Sequence, residues 1–211
     1  PCQDLSISSY WHGNFSGINK DAGNRSGLLW QIERLLKEYQ EIGKKMPRFL
    51  LMENVSAIHG PLHEKNFKMW RKELESMGYL NHYYDLDSSD FGVPQSRVRT
   101  FMISVYSQDL LNTQKNAILN FFQTSNLNRA STVNPSLEMF LKLNYSDDEQ
   151  YLKEALESTP NFTESRRRIY QDSLKLAYGN DLTGAIAKTI TTKQDRNPNA
   201  GIIIHQLELD S

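Results

Sequence analysis

Residues 49–55, FLLMENV, decide how the first half of the chain is interpreted. Four apolar residues are followed by Glu53 and Asn54, and a short apolar run that ends in polar residues is typical of a buried strand in a parallel sheet. In open α/β sheets, ligands bind beyond the carboxyl ends of the strands. Glu53, at the end of this strand, is therefore a candidate site residue.

The segments around this strand alternate between helical and extended patterns. Helices are predicted within residues 27–45 and 66–78, and strands within 79–87 and 98–105. The second helix carries apolar residues at helical spacing and stops at Gly78. In the first helix, the positions spaced to share one apolar face are Leu28, Ile32, Leu35, Leu36, Tyr39 and Ile42. This alternation predicts an α/β fold with a parallel sheet.

The character of the sequence changes near residue 107. Residues 108–182 are polar and weakly patterned, with helical stretches within 149–159 and 165–179. The β-branched segment 185–209 is predicted to form a hairpin around DRNPNAG. We therefore divide the chain into residues 1–107 and a smaller, mixed region over residues 108–211.

Composition excludes some classes of protein. The chain has 211 residues, 38% of them hydrophobic, and a formal net charge of −1, so bulk charge does not indicate a nucleic-acid partner. No apolar run approaches the roughly 20 residues that a membrane span requires. A single cysteine cannot form an internal disulfide, which favours an intracellular setting. We expect neither a membrane nor a metal ion as a partner.

The only cysteine, Cys2, lies directly after a proline and is a further candidate site residue beside Glu53. Arg97 and Arg99 alternate before and within a predicted strand, so in extended geometry their side chains share one face. A thiolate, a hydrogen-bonding carboxyl group and guanidinium donors suit covalent attack on an electron-poor ring. Taken singly, the thiol is more typical of an inert buried residue, Glu53 of a solvated strand end and the arginines of a surface patch.

Four motifs in order give the chain a resemblance to a known family. PCQDLS at residues 1–6, RSGLLWQIER at 25–34, FLLMENV at 49–55 and MGYLNHYYDLDSSDFGVPQSRVRTFMI at 77–103 resemble the motifs of the DNA (cytosine-5)-methyltransferases. The RSGLLW segment most resembles the corresponding segment of the CpG methyltransferases of mollicutes. The resemblance implies a Rossmann-like, S-adenosylmethionine-dependent methyltransferase sheet with a smaller target-recognition region, in a bacterial cytoplasm.

The resemblance also implies roles for individual residues. Cys2 would attack carbon 6 of a cytosine flipped out of double-stranded DNA, since that atom is unreachable in the base stack. Glu53 would hold ring nitrogen 3 and the exocyclic amine, Arg99 the ring carbonyl oxygen, and Arg97 would orient the site. Further implied contacts are Gln3 and Ser6 to DNA, and Pro1 and Leu28 to the cofactor.

The sequence departs from the family pattern in its cofactor motifs. None of the eleven glycines forms the expected Gly-x-Gly loop, and the acidic residue that holds the cofactor ribose is absent. The closing motifs are also absent after Ser211. We therefore expect an internal fragment that has an incomplete S-adenosylmethionine site and is inactive by itself. The missing N-terminal half, as a separate chain, is a candidate partner.

The segment AKTITTKQDRNPNAG, residues 187–201, resembles the loops with which this family reads bases. Arg and Gln side chains can read base edges, and Lys neutralises phosphate. The candidate DNA-binding residues are Thr189, Thr191, Lys193, Gln194 and Arg196. A solvated hairpin is the plainer interpretation of the same residues.

Two other functions remain open at this point. The chain could be a non-catalytic DNA-binding subunit or one half of a split methylase. It could also modify RNA, because a tRNA methyltransferase shares these motifs. The long segment after residue 107 favours DNA, since it offers more recognition surface than a tRNA enzyme needs.

Overall fold

A computed structural model describes residues 29–127, 137–140, 147–158, 163–164 and 186–189. These residues fall into two compact units. The first contains residues 29–86 and 98–127. The second contains residues 87–97 and the described residues from 137 onward.

The first unit is a mixed α/β structure. Its helices are α1 (Leu29–Glu41), α2 (Glu64–Ser76) and α3 (Asn112–Thr124), and a 3-10 turn spans Ser56–His59. Its strands are β1 (Phe49–Asn54), β2 (Tyr79–Asp87) and β4 (Val98–Tyr106), in the order β1–β4–β2. Strand β4 therefore lies in the centre of the described sheet. The α/β class, the two helices and the three strands predicted from the sequence are confirmed.

The predicted parallel arrangement is wrong for the pair β1 and β4. These strands run antiparallel, with Phe49 opposite Val105 and Asn54 opposite Thr100. An apolar run of this length does not reveal strand direction, and either direction satisfies the backbone hydrogen bonds.

Burial of β1 also differs from the expectation. Leu50 and Met52 pack on the core, whereas Phe49 and Leu51 are 68% and 72% exposed. One covered face and one open face is the pattern common in antiparallel sheets.

Helix α1 buries a different stripe from the predicted one. Leu36 is buried, but Ile32, Leu35, Tyr39 and Ile42 are exposed, and Leu28 lies outside the described residues. The buried stripe runs through Leu29, Trp30, Glu33 and Leu36. Trp30 meets the edge of Trp70 with ring centroids 5.6 Å apart. The large area of this aromatic pair outweighs the alternative apolar stripe.

Helix α2 packs its predicted apolar residues, Phe67, Trp70 and Leu74, into the core. After Met77 the chain turns at Gly78, where φ is 95° and a side chain would be strained. A Cβ atom there would lie 2.4 Å from the side chain of Gln108. The backbone angle therefore favours glycine here, and a side chain would also displace that of the exposed Gln108.

Tyr79, at the start of β2, predicts a pH-dependent contribution to stability. Its hydroxyl donates to the Pro47 carbonyl at 2.9 Å, and burial, followed by the nearby Tyr106, raises the pKa of Tyr79 to about 12. Tyr79→Phe should cost about 1 kcal/mol of unfolding free energy at pH 7. The wild-type advantage is complete below pH 10 and declines by at most about 1.4 kcal/mol per pH unit as the pH rises toward 12.

Urea unfolding of both proteins at pH 7, 9 and 11 measures this difference, and the comparison cancels the other tyrosines. A gap between the two proteins that stayed constant from pH 7 to 11 would contradict the assignment.

Helix α3 was not predicted, because residues 108–182 appeared weakly patterned. Phe122 is its buried residue and stacks on His82, with ring centroids 5.3 Å apart and planes inclined by 15°. The Gln114 side chain accepts a hydrogen bond from the Leu111 backbone N–H at 2.9 Å. This side chain-to-backbone bond marks the helix start without a Ser, Thr, Asn or Asp at the cap.

The second unit is described only in parts. It contains 3-10 turns at Ser88–Phe91 and Leu137–Phe140, helix α4 (Glu149–Ser158), and the short strands β3 (Gln95–Ser96) and β5 (Ala187–Lys188). Helix α4 confirms the helical prediction within 149–159. Strands β3 and β5 pair in parallel. The predicted helix at 165–179 and most of the hairpin lie outside the described residues.

Candidate functional site

Glu53 and Arg99 form an ion pair on the open face of the β1–β4 ladder. The Arg99 Nε atom lies 3.3 Å from Glu53 Oε1. The Glu53 side chain is 51% exposed, whereas that of Arg99 is 18% exposed. The carboxylate is thus both paired and accessible to a ligand.

The antiparallel direction of β4 is what brings these two residues together. Glu53 is the next-to-last residue of β1 and lies opposite Phe101. Arg99 precedes Phe101 by two positions, so its side chain projects from the same face as those of Phe101 and Glu53. Glu53 and Arg99 converge as expected. Glu53 lies near the end of β1, however, and Arg99 near the start of β4, so the two do not meet at the carboxyl ends of parallel strands.

The Arg99 guanidinium is also held by its own strand. Nη1 donates to the Val98 carbonyl at 2.7 Å. The fork therefore combines a hydrogen bond to its own strand with the ion pair to Glu53, whose Oε1 lies 3.3 Å from Nε. An acceptor and a donor therefore stand side by side.

Arg97 belongs to the second unit and is described there. Its backbone N–H donates to Asp87 Oδ1 at 2.9 Å, and its carbonyl accepts from the Ser88 N–H at 3.3 Å. The segment that carries this predicted site residue is therefore fixed through its backbone.

Asp87 organises this part of the second unit, and the sequence analysis missed it. Besides the Arg97 N–H, its carboxylate accepts from the Ser89 N–H at 3.0 Å and from Ser96 Oγ at 2.8 Å. Burial acts to raise the pKa of Asp87, but these hydrogen bonds outweigh it and the pKa is lowered. The signal was Asp87 before Ser88 and Ser89, since Asp is a favoured cap of a helical turn.

Thr189 is the one predicted DNA-binding residue within the described ranges. Its hydroxyl donates to the Ser96 carbonyl at 2.9 Å, and the neighbouring Ala187 N–H donates to the Pro94 carbonyl at 2.9 Å. Thr189 therefore ties residues 186–189 to the segment before Arg97. A contact of Thr189 with DNA stays a prediction.

The other predicted site residues lie outside the described residues. They are the proposed nucleophile Cys2, the cofactor contacts Pro1 and Leu28, and the DNA contacts Gln3, Ser6, Thr191, Lys193, Gln194 and Arg196. Their roles, and the binding of S-adenosylmethionine, stay predictions.

Two negative findings apply to the part of the chain that the structure describes. No group of three or more His, Cys, Asp or Glu side chains there is arranged to hold a metal ion. None of the helices there is long and apolar enough to cross a membrane.

Known proteins resemble this chain. Type II methyltransferase M2.ScrFI of Lactococcus lactis subsp. cremoris is 35% identical over 156 residues, which are 73% of this chain and 39% of that protein. Orphan methyltransferase M.SssI of Spiroplasma monobiae is 43% identical over 108 residues, 51% of this chain and 26% of that protein. The chain thus spans less than half the length of both relatives.

A solved structure and a family model also match. The S. pombe Dnmt2 methyltransferase has a TM-score of 0.41 and 16% identity, over 82% of this chain and 52% of that one. The family model for C-5 cytosine-specific DNA methylases matches residues 1–207. Because that match covers nearly every residue, including Glu53 and Arg99, the chain belongs to the C-5 cytosine-specific DNA methylase family.

Proposed function

We propose that this chain carries the catalytic part of an enzyme that methylates carbon 5 of cytosine in double-stranded DNA. The observation that carries the proposal is the Glu53–Arg99 pair, an exposed carboxylate 3.3 Å from a guanidinium nitrogen, in a chain of this family. The target cytosine leaves the duplex and presents its pairing edge to this pair.

The two side chains act on opposite ends of that edge. The Glu53 carboxylate accepts a hydrogen bond from the exocyclic amine, and it accepts a second one from nitrogen 3 while that atom carries a proton during attack on the ring. Arg99 donates to the ring carbonyl oxygen. Groups that are already in place stabilise the developing charge without reorganising, which is a large source of catalysis. Arg97 orients the flipped nucleotide.

Cys2 supplies the nucleophile. Its thiolate adds to carbon 6 of the ring, and this addition makes carbon 5 electron-rich enough to be methylated. S-adenosylmethionine supplies the methyl group when it is bound, with Pro1 and Leu28 among its contacts. A water molecule then takes up the carbon 5 proton, the electron pair of that C–H bond restores the double bond between carbons 5 and 6, and the bond from carbon 6 to sulfur breaks to release the Cys2 thiolate.

The region after residue 107 is assigned to target recognition. Thr189, Thr191, Lys193, Gln194 and Arg196 provide hydroxyl, amide and cationic groups suited to base edges and phosphates. The family model supports DNA over RNA as the substrate, since it describes DNA methylases. The bacterial cytoplasm is the compartment in which such an enzyme would act.

A direct assay tests the proposal. The protein that carries this chain is incubated with methyl-labelled S-adenosylmethionine and, in separate reactions, duplex DNA and tRNA. The nucleosides are then separated by chromatography and identified by mass spectrometry. Label in 5-methylcytosine of DNA is the expected result.

Label found only in tRNA would show that the substrate is RNA and not DNA. DNA that is bound tightly but never labelled, with cofactor present, would favour the non-catalytic binding module.

A further inference from the structure

A polar network lies on the face of the sheet opposite Glu53 and Arg99. Asp85 on β2 accepts a hydrogen bond from Thr100 Oγ1 at 2.5 Å. The same carboxylate lies 2.9 and 3.1 Å from His59 Nε2. Thr100 is fully buried. A carboxylate that bridges two elements through charge-assisted hydrogen bonds makes stronger contacts than neutral pairs do.

The network closes on itself through β1. Thr100 lies opposite Asn54 in the β1–β4 ladder, and Asn54 is 2% exposed. Asn54 Oδ1 accepts from the Val55 N–H at 2.9 Å, and the Val55 carbonyl accepts from the Ile58 N–H at 3.0 Å. These bonds fix the 3-10 turn that ends at His59. The path from β1 through β4, β2 and the turn therefore returns to β1.

Packing restricts the His59 ring. Its centroid lies 5.1 Å from that of Tyr83 and 6.2 Å from that of Phe67, which is buried. The guanidinium of Arg71 lies over the same Tyr83 ring, 5.4 Å from its centroid. A ring held between aromatic neighbours keeps its nitrogen directed at Asp85.

We propose that His59, Asp85 and Thr100 form a positioning ring that holds the Glu53 end of β1 in register with the Arg99 end of β4. Thr100 directly follows Arg99, and Asn54 directly follows Glu53. Because side chains alternate across a strand, the positioning ring on one face sets the backbone that carries the ion pair on the other. This inference rests on the proposed function of Glu53 and Arg99.

Loss of the positioning ring should act on the reaction more than on binding. A misplacement of about 1 Å can cost on the order of a hundredfold in rate, even from a change away from the chemistry. Glu53 and Arg99 would still be present and charged. The positioning ring therefore affects the turnover rate, whereas the affinity for DNA depends mainly on other residues.

Matched substitutions separate hydrogen bonding from packing. Thr100→Val keeps the shape and removes the donor, while Thr100→Ser keeps the donor. His59→Phe keeps a ring between the aromatic neighbours but has no nitrogen. The control is Ser104→Ala on the same strand, because Ser104 is fully buried and its hydroxyl has no hydrogen-bond partner in the portion of the chain that is described.

The first measurement uses the protein that carries this chain and needs no activity. The Arg99 Nε–H signal is followed by ¹⁵N NMR. It should shift in Thr100→Val and His59→Phe and stay in place in Thr100→Ser and Ser104→Ala. An unchanged signal in Thr100→Val and His59→Phe would overturn the proposal.

The second measurement is steady-state methylation by the methyltransferase that carries this chain. Thr100→Val and His59→Phe should lower kcat about tenfold or more and leave KM for DNA within about twofold. Thr100→Ser should retain the wild-type rate. Equal losses in Thr100→Val and Thr100→Ser would overturn the proposal, since packing and not the hydroxyl would then be responsible.

Glu53→Gln in the same assay distinguishes a failure of the positioning ring from a failure of the proposed function on which it rests. Full activity in Glu53→Gln would refute the proposed role of Glu53, and absence of methylation by the wild type would refute the proposed function itself. A loss in Glu53→Gln with none in the positioning-ring variants would refute only the positioning ring.

Discussion

The Cys2→Ala variant is expected to methylate no DNA, while its affinity for duplex DNA stays close to that of the wild type. Without addition of a thiolate at carbon 6, carbon 5 of cytosine is too weakly nucleophilic to take a methyl group. The affinity is expected to survive because DNA binding relies on phosphate and base contacts made by other residues.

The loss is measured as the single-turnover rate of 5-methylcytosine formation, next to a titration of DNA binding by fluorescence anisotropy. Cys2→Ser serves as the companion variant. Its hydroxyl has the right place but a far higher pKa than a thiol, so it should be almost as inactive. Methylation by Cys2→Ala at a rate comparable to the wild type would remove the covalent step from the mechanism.

Glu53→Gln is expected to slow methyl transfer by about a hundredfold or more. The amide keeps the size of the side chain, but it cannot balance the charge that builds on the attacked ring. It also loses the ion pair with Arg99, although a pair whose carboxylate is half exposed contributes only about 1 kcal/mol to stability. The protein should therefore remain folded and keep its preferred DNA sequence.

Single-turnover methylation and binding to a panel of duplexes together measure this outcome. The matched control is Glu75→Gln, an exposed glutamate on α2 that has no role in the proposed reaction. It should behave like the wild type. A changed sequence preference in Glu53→Gln with an unchanged rate would assign Glu53 to recognition and contradict its proposed role.

Local patterns were sufficient to predict the elements that carry the candidate pair. FLLMENV predicted β1 and placed Glu53 at its end, and the alternation in QSRVR placed Arg99 in a strand. Glycine at position 78 marked the end of α2, because a positive φ favours that residue. These features depend on a few neighbouring residues, which is why the sequence displays them.

Features that depend on distant contacts were predicted wrongly or missed. The direction of β4 relative to β1 is decided by the path of the segments that connect the two strands, and nothing in either apolar run encodes it. The buried stripe of α1 depends on Trp70, forty residues after Trp30. Asp85 and Thr100 meet only because β2 and β4 are neighbours in the sheet.

The central claim is that the cytosine held by Glu53 and Arg99 is attacked by the thiol of Cys2. Duplex DNA with 5-fluorocytosine at the target tests it most directly, because fluorine at carbon 5 cannot leave as a proton does and the covalent intermediate is trapped. The protein that carries this chain is incubated with this DNA and S-adenosylmethionine, digested, and analysed by mass spectrometry. The nucleotide is predicted on the peptide that contains Cys2, attached to its sulfur. A nucleotide on any other residue, or no trapped species from a protein that methylates ordinary DNA, would contradict the claim.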